Sequence, residues 1–340
     1  MKAIVVLAAF LLLFATAVTA TPSSFDEAYR AGLVALQHDQ LEAAQQNLVA
    51  ASLLQPRNAR VWVALAQTYR KTHADRKALD AAANALRFGA ADAAVLQTLA
   101  TYYSESGDML HAADVQARYE SIQNDSGGRA AALYFEAAGP LLKEQKFAEA
   151  LAILEAAHAK VKPSAQIELA LGVTYYGLRR FDEAAAAFLR TITIAPEIEQ
   201  PYLFLGRMLE AVPDRLPALT VRFAEFEAAH PSDPRGYLLH AKALDAQAIE
   251  PARARQLIEK SLALDANNAT AHMELATLLE RLRAYPEAAA EFERAAALDS
   301  RDPATHYRLA RLYDRLNRPA DAAAQRQIHA QLTAAQDALR

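Results

Sequence analysis

The chain has 340 residues, 53% of them hydrophobic and 22% charged, a composition that excludes a disordered protein. Its net charge of −4 is spread with both signs interspersed, which argues against a nucleic-acid partner, since a duplex-binding protein shows a basic face. There is no cysteine, so neither a disulfide nor a lipid-modified thiol enters the account, and stability must come from packing.

The first segment, "MKAIVVLAAFLLLFATAVTA", sets Lys2 ahead of an apolar run from Ala3 to Val18 and ends in Val18-Thr19-Ala20. Small residues at the −3 and −1 positions predict a secretory signal over residues 1–20, cleaved after Ala20. The run is short beside the roughly 20 residues of a membrane span. A retained anchor is therefore the second reading, and no integral membrane segment is expected after cleavage. The predicted location is exported, periplasmic or secreted, in a bacterium.

Beyond the signal, one kind of stretch returns: "QLEAAQQNLVAASLLQPRN", then "GLRRFDEAAAAFLRTITIAPE" between a glycine turn and a proline, then "RAYPEAAAEFERAAALDSRD". Ala44, Ala78 and Ala112 stand 34 apart, as do Ala150, Ala184 and Ala218, and Ala254, Ala288 and Ala322. Twelve positions earlier sits a second small residue: Gly32, Ala66, Ala100, Ala138, Gly172, Gly206, Ala276 and Ala310, with Ala241 one place off in the seventh unit. Two antiparallel helices approach closely only where neither side chain projects far, so a small residue recurs at each crossing. Trp62, Leu65, Tyr69, Leu171, Tyr175, Phe181 and Phe188 supply bulk around it. Pro56, Pro196 and Pro231 are predicted to end second helices, and Asn58, Asp92, Asp233, Asn268 and Asp302 to cap the first helices that follow. No stretch alternates with period two for long enough to make a strand.

"VWVALAQTYRKTHADRKALDAAANAL" and "ELALGVTYYGLRRFDEAAAAFLRTITIAP" resemble tetratricopeptide repeats: bulky at position 4, Leu at 7, small at 8, aromatic at 11, Ala at 20, aromatic at 24, Ala at 27, Pro at 32. The resemblance covers about residues 25–340. It implies an all-α, right-handed superhelical solenoid of antiparallel helix pairs, about nine repeats in all. Repeats two, five, eight and nine follow the pattern closely; three and four are looser, and six and seven carry one-residue insertions. "QNDSGGR", residues 123–129, holds the only Gly-Gly pair. It divides repeats one to three, residues 21–126, from repeats four to nine, residues 127–340. It reads either as a flexible joint at Gly127-Gly128 or as a longer loop within one array. The closing run "RQIHAQLTAAQDALR" reads as a solvated capping helix.

No phosphate loop, metalloprotease helix, nucleophile elbow or cysteine nucleophile occurs, so no catalytic residue, cofactor or metal is assigned. His272 and His306 stand 34 apart at position 4 of adjacent repeats. Each is read as a packing residue rather than half of a metal pair, because no carboxylate or cysteine shares that face at ligand spacing. Asn124-Asp125-Ser126 and Asn268-Ala269-Thr270 match the glycosylation triplet, which is short enough to recur by chance.

A solenoid offers a concave face, and the resemblance assigns it to positions 2, 5, 9 and 12 of each first helix. Repeats four and five present Phe135, Leu142, Leu169, Val173 and Tyr176 there, and repeat two presents Arg60, Gln67 and Arg70. Repeats six, seven and nine place a base at position 9 (Arg207, Lys242, Arg311) and an acid at position 12 (Glu210, Asp245, Asp314). Repeat eight has Thr277 and Glu280. The apolar run is read as a pocket for a partner's hydrophobic side chains, against closure by tight curvature. The charges are read as i,i+3 pairs that solvate the groove. The carboxylate clamp of chaperone-binding relatives needs Asn at places where this chain has none. The function expected is a non-enzymatic scaffold or assembly factor of the cell envelope, holding a peptide or partner protein in the groove. The alternatives are an accessory subunit of an envelope enzyme or export system, and a self-associating homo-oligomer.

Overall fold

The computed structural model describes residues 24–124 and 128–337, so the predicted signal segment and Gly127 fall outside it. Among the described residues all regular structure is helical. By contact the chain divides into two compact units, Met1–Ala130 and Ala131–Arg340. The first holds α1 (Phe25–Gln37), α2 (Leu41–Leu54), α3 (Ala59–Lys71), α4 (Asp75–Gly89), α5 (Ala93–Glu105) and α6 (Met109–Gln123). Helix α7 (Arg129–Lys143) runs over the boundary. The second continues with α8 (Phe147–Lys160), α9 (Ala165–Gly177), α10 (Phe181–Ile194), α11 (Gln200–Arg207), α12 (Leu216–Ala229) and α13 (Pro234–Ala246). It closes with α14 (Pro251–Leu264), α15 (Ala269–Arg281), α16 (Tyr285–Leu298), α17 (Pro303–Arg315) and α18 (Pro319–Asp337).

Within the first unit α1 packs on α2, α3 on α4 and α5 on α6, and first helices also touch first helices, α1 with α3 and α3 with α5. The second unit repeats the scheme in α9 with α10, α13 with α14, α15 with α16 and α17 with α18. The small residues lie where the spacing puts them. Ala44, Ala112, Ala150, Ala184, Ala254, Ala288 and Ala322 are fully buried, and Ala66, Ala138, Ala241 and Ala276 face them from the first helices without exposure. All five predicted caps accept backbone N–H groups through their side chains, Asp92 from Ala94 and Val95 and Asp302 from Ala304 and Thr305 among them. Position 4 has a further duty. Trp62 Nε1 donates to the Pro56 carbonyl at 2.7 Å, and the Tyr202 and Tyr237 hydroxyls donate to Pro196 and Pro231 at 3.2 and 3.0 Å. In each case the bond staples the helix to the loop six residues back.

Two local expectations are corrected. The turn in "GLRRF" is not made by Gly177, which ends α9 with its Cα against the Phe147 ring. The left-handed residue is Arg179, φ 59°, and the same place is taken by Asp39, His73, Gly107, Gln145, Ala248, Arg283 and Asn317. The backbone there closes two bonds that hold the last turn of the first helix, such as Arg180 N–H to Tyr175 carbonyl at 2.9 Å. Ala218 is exposed, and Leu219, fully buried, occupies the crossing instead. The cause lies upstream: α11 stops after 8 residues and two 3₁₀ turns, Leu209–Ala211 and Pro213–Arg215, replace its last turn, shifting the helix that follows. The closing run, as far as Asp337, is the second half of α18, whose one buried residue is Ala322.

Candidate functional site

In the first unit α1, α3 and α5 together line a groove of about 380 Å³. Tyr29 and Leu33 come from α1, Arg60, Val63, Ala64 and Gln67 from α3, and Ala94, Val95 and Thr98 from α5. The floor is apolar because these first helices turn one broad stripe to their second helices and their neighbours. The rim is polar. Arg60 is 64% exposed and reaches Asp92 only at 3.4 Å, since that carboxylate already caps α5. Burial pushes the Tyr29 hydroxyl above its ordinary value, and the neighbouring Arg60 charge pulls it back. The groove thus combines an aliphatic floor with one guanidinium and one amide whose hydrogen-bonding capacity is largely unspent.

The predicted site residues fare differently. Arg60 and Gln67 meet in this groove, but Arg70 does not line it. Arg70 donates to Glu105 at 2.6 Å and lies over the Tyr102 ring. In the second unit Phe135 and Leu142 on α7, and Leu169, Val173 and Tyr176 on α9, are all half-buried. Tyr176 carries packing that its motif position does not imply: its ring meets Phe204 edge-on at 5.0 Å and Phe181 at 5.7 Å.

The expected i,i+3 charge pairs do not form; the ion pairs run between repeats, except in the last, where Asp314 pairs within its own unit. Lys242 reaches Glu274 at 2.7 Å, Asp245 pairs with Arg281, Glu280 lies 4.0 Å from Arg315, and Asp314 pairs with Arg326 of α18. Stacking of first helices sets position 12 of one repeat beside position 13 of the next, as Arg70–Glu105, Asp245–Arg281 and Glu280–Arg315 each illustrate. Arg207 and Glu210 are exposed and make no ion pair among the described residues; Arg311 rests over the Tyr307 ring at 5.8 Å.

The two histidines are interior. His272 spans Glu291 at 2.7 Å and the Ala266 carbonyl at 3.1 Å, and His306 spans Gln325 and the Ser300 carbonyl likewise. Each makes the same six-residue staple as Trp62. The Asn268 side chain is engaged as the α15 cap, accepting from Ala271 N–H at 3.0 Å, which counts against the glycosylation reading there. No helix of the described residues is long and apolar enough to cross a membrane.

Tetratricopeptide-repeat models match residues 141–201, and residues 238–303 and 274–331. Among solved structures, MamA from residue 41 to its end, from Desulfovibrio magneticus RS-1, is similar at 22% identity and TM-score 0.43, over 50% of this chain and 95% of that one. TTC0263, a thermophilic tetratricopeptide-repeat protein of Thermus thermophilus, is similar at 23% identity and TM-score 0.41, over 51% and 99%. No curated protein matches the chain.

Proposed function

We propose that this chain, a tetratricopeptide-repeat protein and so built as a protein-interaction scaffold, holds an extended segment of a partner protein in the first-unit groove. The observation that carries the reading is the pairing of an aliphatic floor with Arg60 and Gln67 on its rim. Such a surface selects a segment with an aliphatic anchor and an acidic or amide neighbour, the floor supplying affinity and the rim orientation. The half-buried apolar rows on α7 and α9 offer similar chemistry of their own. The signal-like first segment supports work in the cell envelope after export, with no catalytic step of its own.

The test is capture from an envelope extract by the mature chain, run beside Leu33→Asp, Arg60→Glu and, on an outer helix, Leu79→Asp. Leu33 is 38% exposed and Leu79 54%, so each change leaves the core alone. The reading requires one bound species that both groove variants lose and Leu79→Asp retains. Retention by both groove variants would remove the site. N-terminal sequencing of the exported form, expected to start at Thr21, tests the location.

A further inference from the structure

We propose that the second unit carries a separate docking surface for an acidic stretch of a partner chain, formed where the ends of α15 and α17 converge. The inference rests on the scaffold reading but not on the first-unit groove. A cavity of about 400 Å³ opens there, lined by Thr277, Glu280, Arg281, Arg283, Tyr285 and Arg315. A fourth guanidinium stands at its edge, since Arg308 Nη1 donates to Thr277 Oγ1 at 2.9 Å.

Accounting for partners separates structural charges from available ones. Arg281 is committed, paired with the Asp245 carboxylate and donating to the Asp245 carbonyl at 3.0 Å. The remaining three are not. The Arg283 side chain makes no ion pair or hydrogen bond among the described residues, and its left-handed backbone, φ 61°, turns it out of the helical line. Arg308 has only the Thr277 hydroxyl. Arg315 sits 4.0 Å from Glu280, the limit of an ion pair, and reaches the Tyr285 hydroxyl at 3.3 Å. Three guanidiniums therefore face one carboxylate, and each has five N–H donors in a planar fork suited to carboxylates. Arg315 also lies over the Tyr285 ring at 5.3 Å, so part of its ordering is complete before a ligand arrives. The excess positive charge selects an anion, and the open cavity with spaced forks fits several side-chain carboxylates in sequence rather than one small ion.

The probe is a labelled twelve-residue peptide of alternating Glu and Gly, compared with its Gln and Gly counterpart by fluorescence anisotropy on the mature protein. The acidic peptide is expected to bind, the neutral one not, with affinity falling steeply toward about 0.15 M salt. Arg283→Gln with Arg308→Gln is expected to weaken binding by about tenfold or more, while Arg222→Gln with Arg253→Gln, the same charge change on α12 and α14, leaves it unaltered. Circular dichroism confirms that the variants keep their helices. Equal binding of both peptides, no loss in the double variant, full displacement by inorganic phosphate, or equal affinity for oligothymidine would each overturn the proposal. If Leu33→Asp and Arg60→Glu abolish acidic-peptide binding instead, the peptide occupies the first-unit groove; the present site falls and the earlier reading stands.

Discussion

Gly172→Ala adds one methyl group to α9, and the structure sets two effects of opposite sign against each other. A Cβ at Gly172 would stand 2.5 Å from Phe188 Cδ1 and Cε1 and 2.9 Å from Cζ. Carbon atoms rest about 3.5–4 Å apart, so the ring must retreat by roughly 1 Å. It has little room to move: Phe188 is fully buried and its ring stacks on Phe204 at 5.1 Å with an interplanar angle of 11°. Overpacking of that kind costs about 1–3 kcal/mol. Alanine is the better helix former by about 0.8–1 kcal/mol, which leaves a net loss of about 1 kcal/mol. Gly139→Ala in α7 supplies the contrast, because a Cβ there meets nothing within 4 Å. Only the propensity gain remains, trimmed by the following Pro140, and a rise of a few tenths of a kcal/mol is expected. Urea unfolding of both variants measures the difference, and hydrogen exchange locates it in α9, α10 and their neighbours. A Gly172→Ala protein more stable than wild type would refute the reasoning, since it would mean that the crossing has slack.

Trp62→Phe keeps the bulk at position 4 but removes the donor to the Pro56 carbonyl, so a loss of about 1 kcal/mol is expected in the first unit, measured by urea unfolding. A double-mutant cycle on Asp245→Asn and Arg281→Gln should give a coupling of about 0.5–1 kcal/mol, modest because Arg281 is 44% exposed; zero coupling would show that the inter-repeat pair is ornamental. Tyr175 and Tyr313 are pushed from 10.0 up to about 12, first by burial and then by donation to Glu155 and Glu293. Their contribution to stability is complete below about pH 10 and is lost as the pH rises through about 12. Titration by tyrosinate absorbance should therefore leave these two for last, and Tyr175→Phe and Tyr313→Phe should each remove part of the final step.

The repeat was legible because its defining residues are defined by what they lack. Ala66 and Ala184 mark a crossing by having no side chain to obstruct it, and that shows in sequence as a spacing. The caps were legible for a similar reason, Asp92 and Asn268 being residue types that compete with helix interiors. The turns were not. Arg179, Gln145 and Ala248 take the left-handed region without any glycine, held there by the two carbonyl bonds of the helix end, and side-chain type carries no trace of that. Ala218 misled because the spacing was continued through a segment where 3₁₀ turns change the count. In the site, Arg60 and Gln67 were found by motif position. The same rule applied to repeat one gives Tyr29 and Leu33 at positions 5 and 9, and to repeat two Val63 at position 5. Val95 and Thr98 lie at positions 3 and 6, outside the rule.

Position on the concave face does not by itself make a residue available to a partner. Arg60 and Arg70 lie ten residues apart on α3, both at groove positions and both cationic. The neighbouring repeat decides between them. Arg70 meets Glu105 at 2.6 Å, so a ligand carboxylate there would have to displace one already in place, and exchange of equals yields little net affinity. Arg60 meets an Asp92 that is already shared between two backbone N–H groups, and the 3.4 Å separation leaves the guanidinium free to turn to a ligand. The same accounting sorts the second unit, where Lys242 and Arg281 are committed and Arg283 and Arg308 are not. Binding surface on this scaffold is what remains after the repeats have satisfied one another. A single substitution in a stacking partner should therefore create a site as readily as a change in the groove. Glu105→Gln would release Arg70 toward the concave face, and an acidic peptide should then bind the first unit more tightly than it binds the wild-type protein. If affinity is unchanged, the Arg70–Glu105 pair was never what kept that cation occupied.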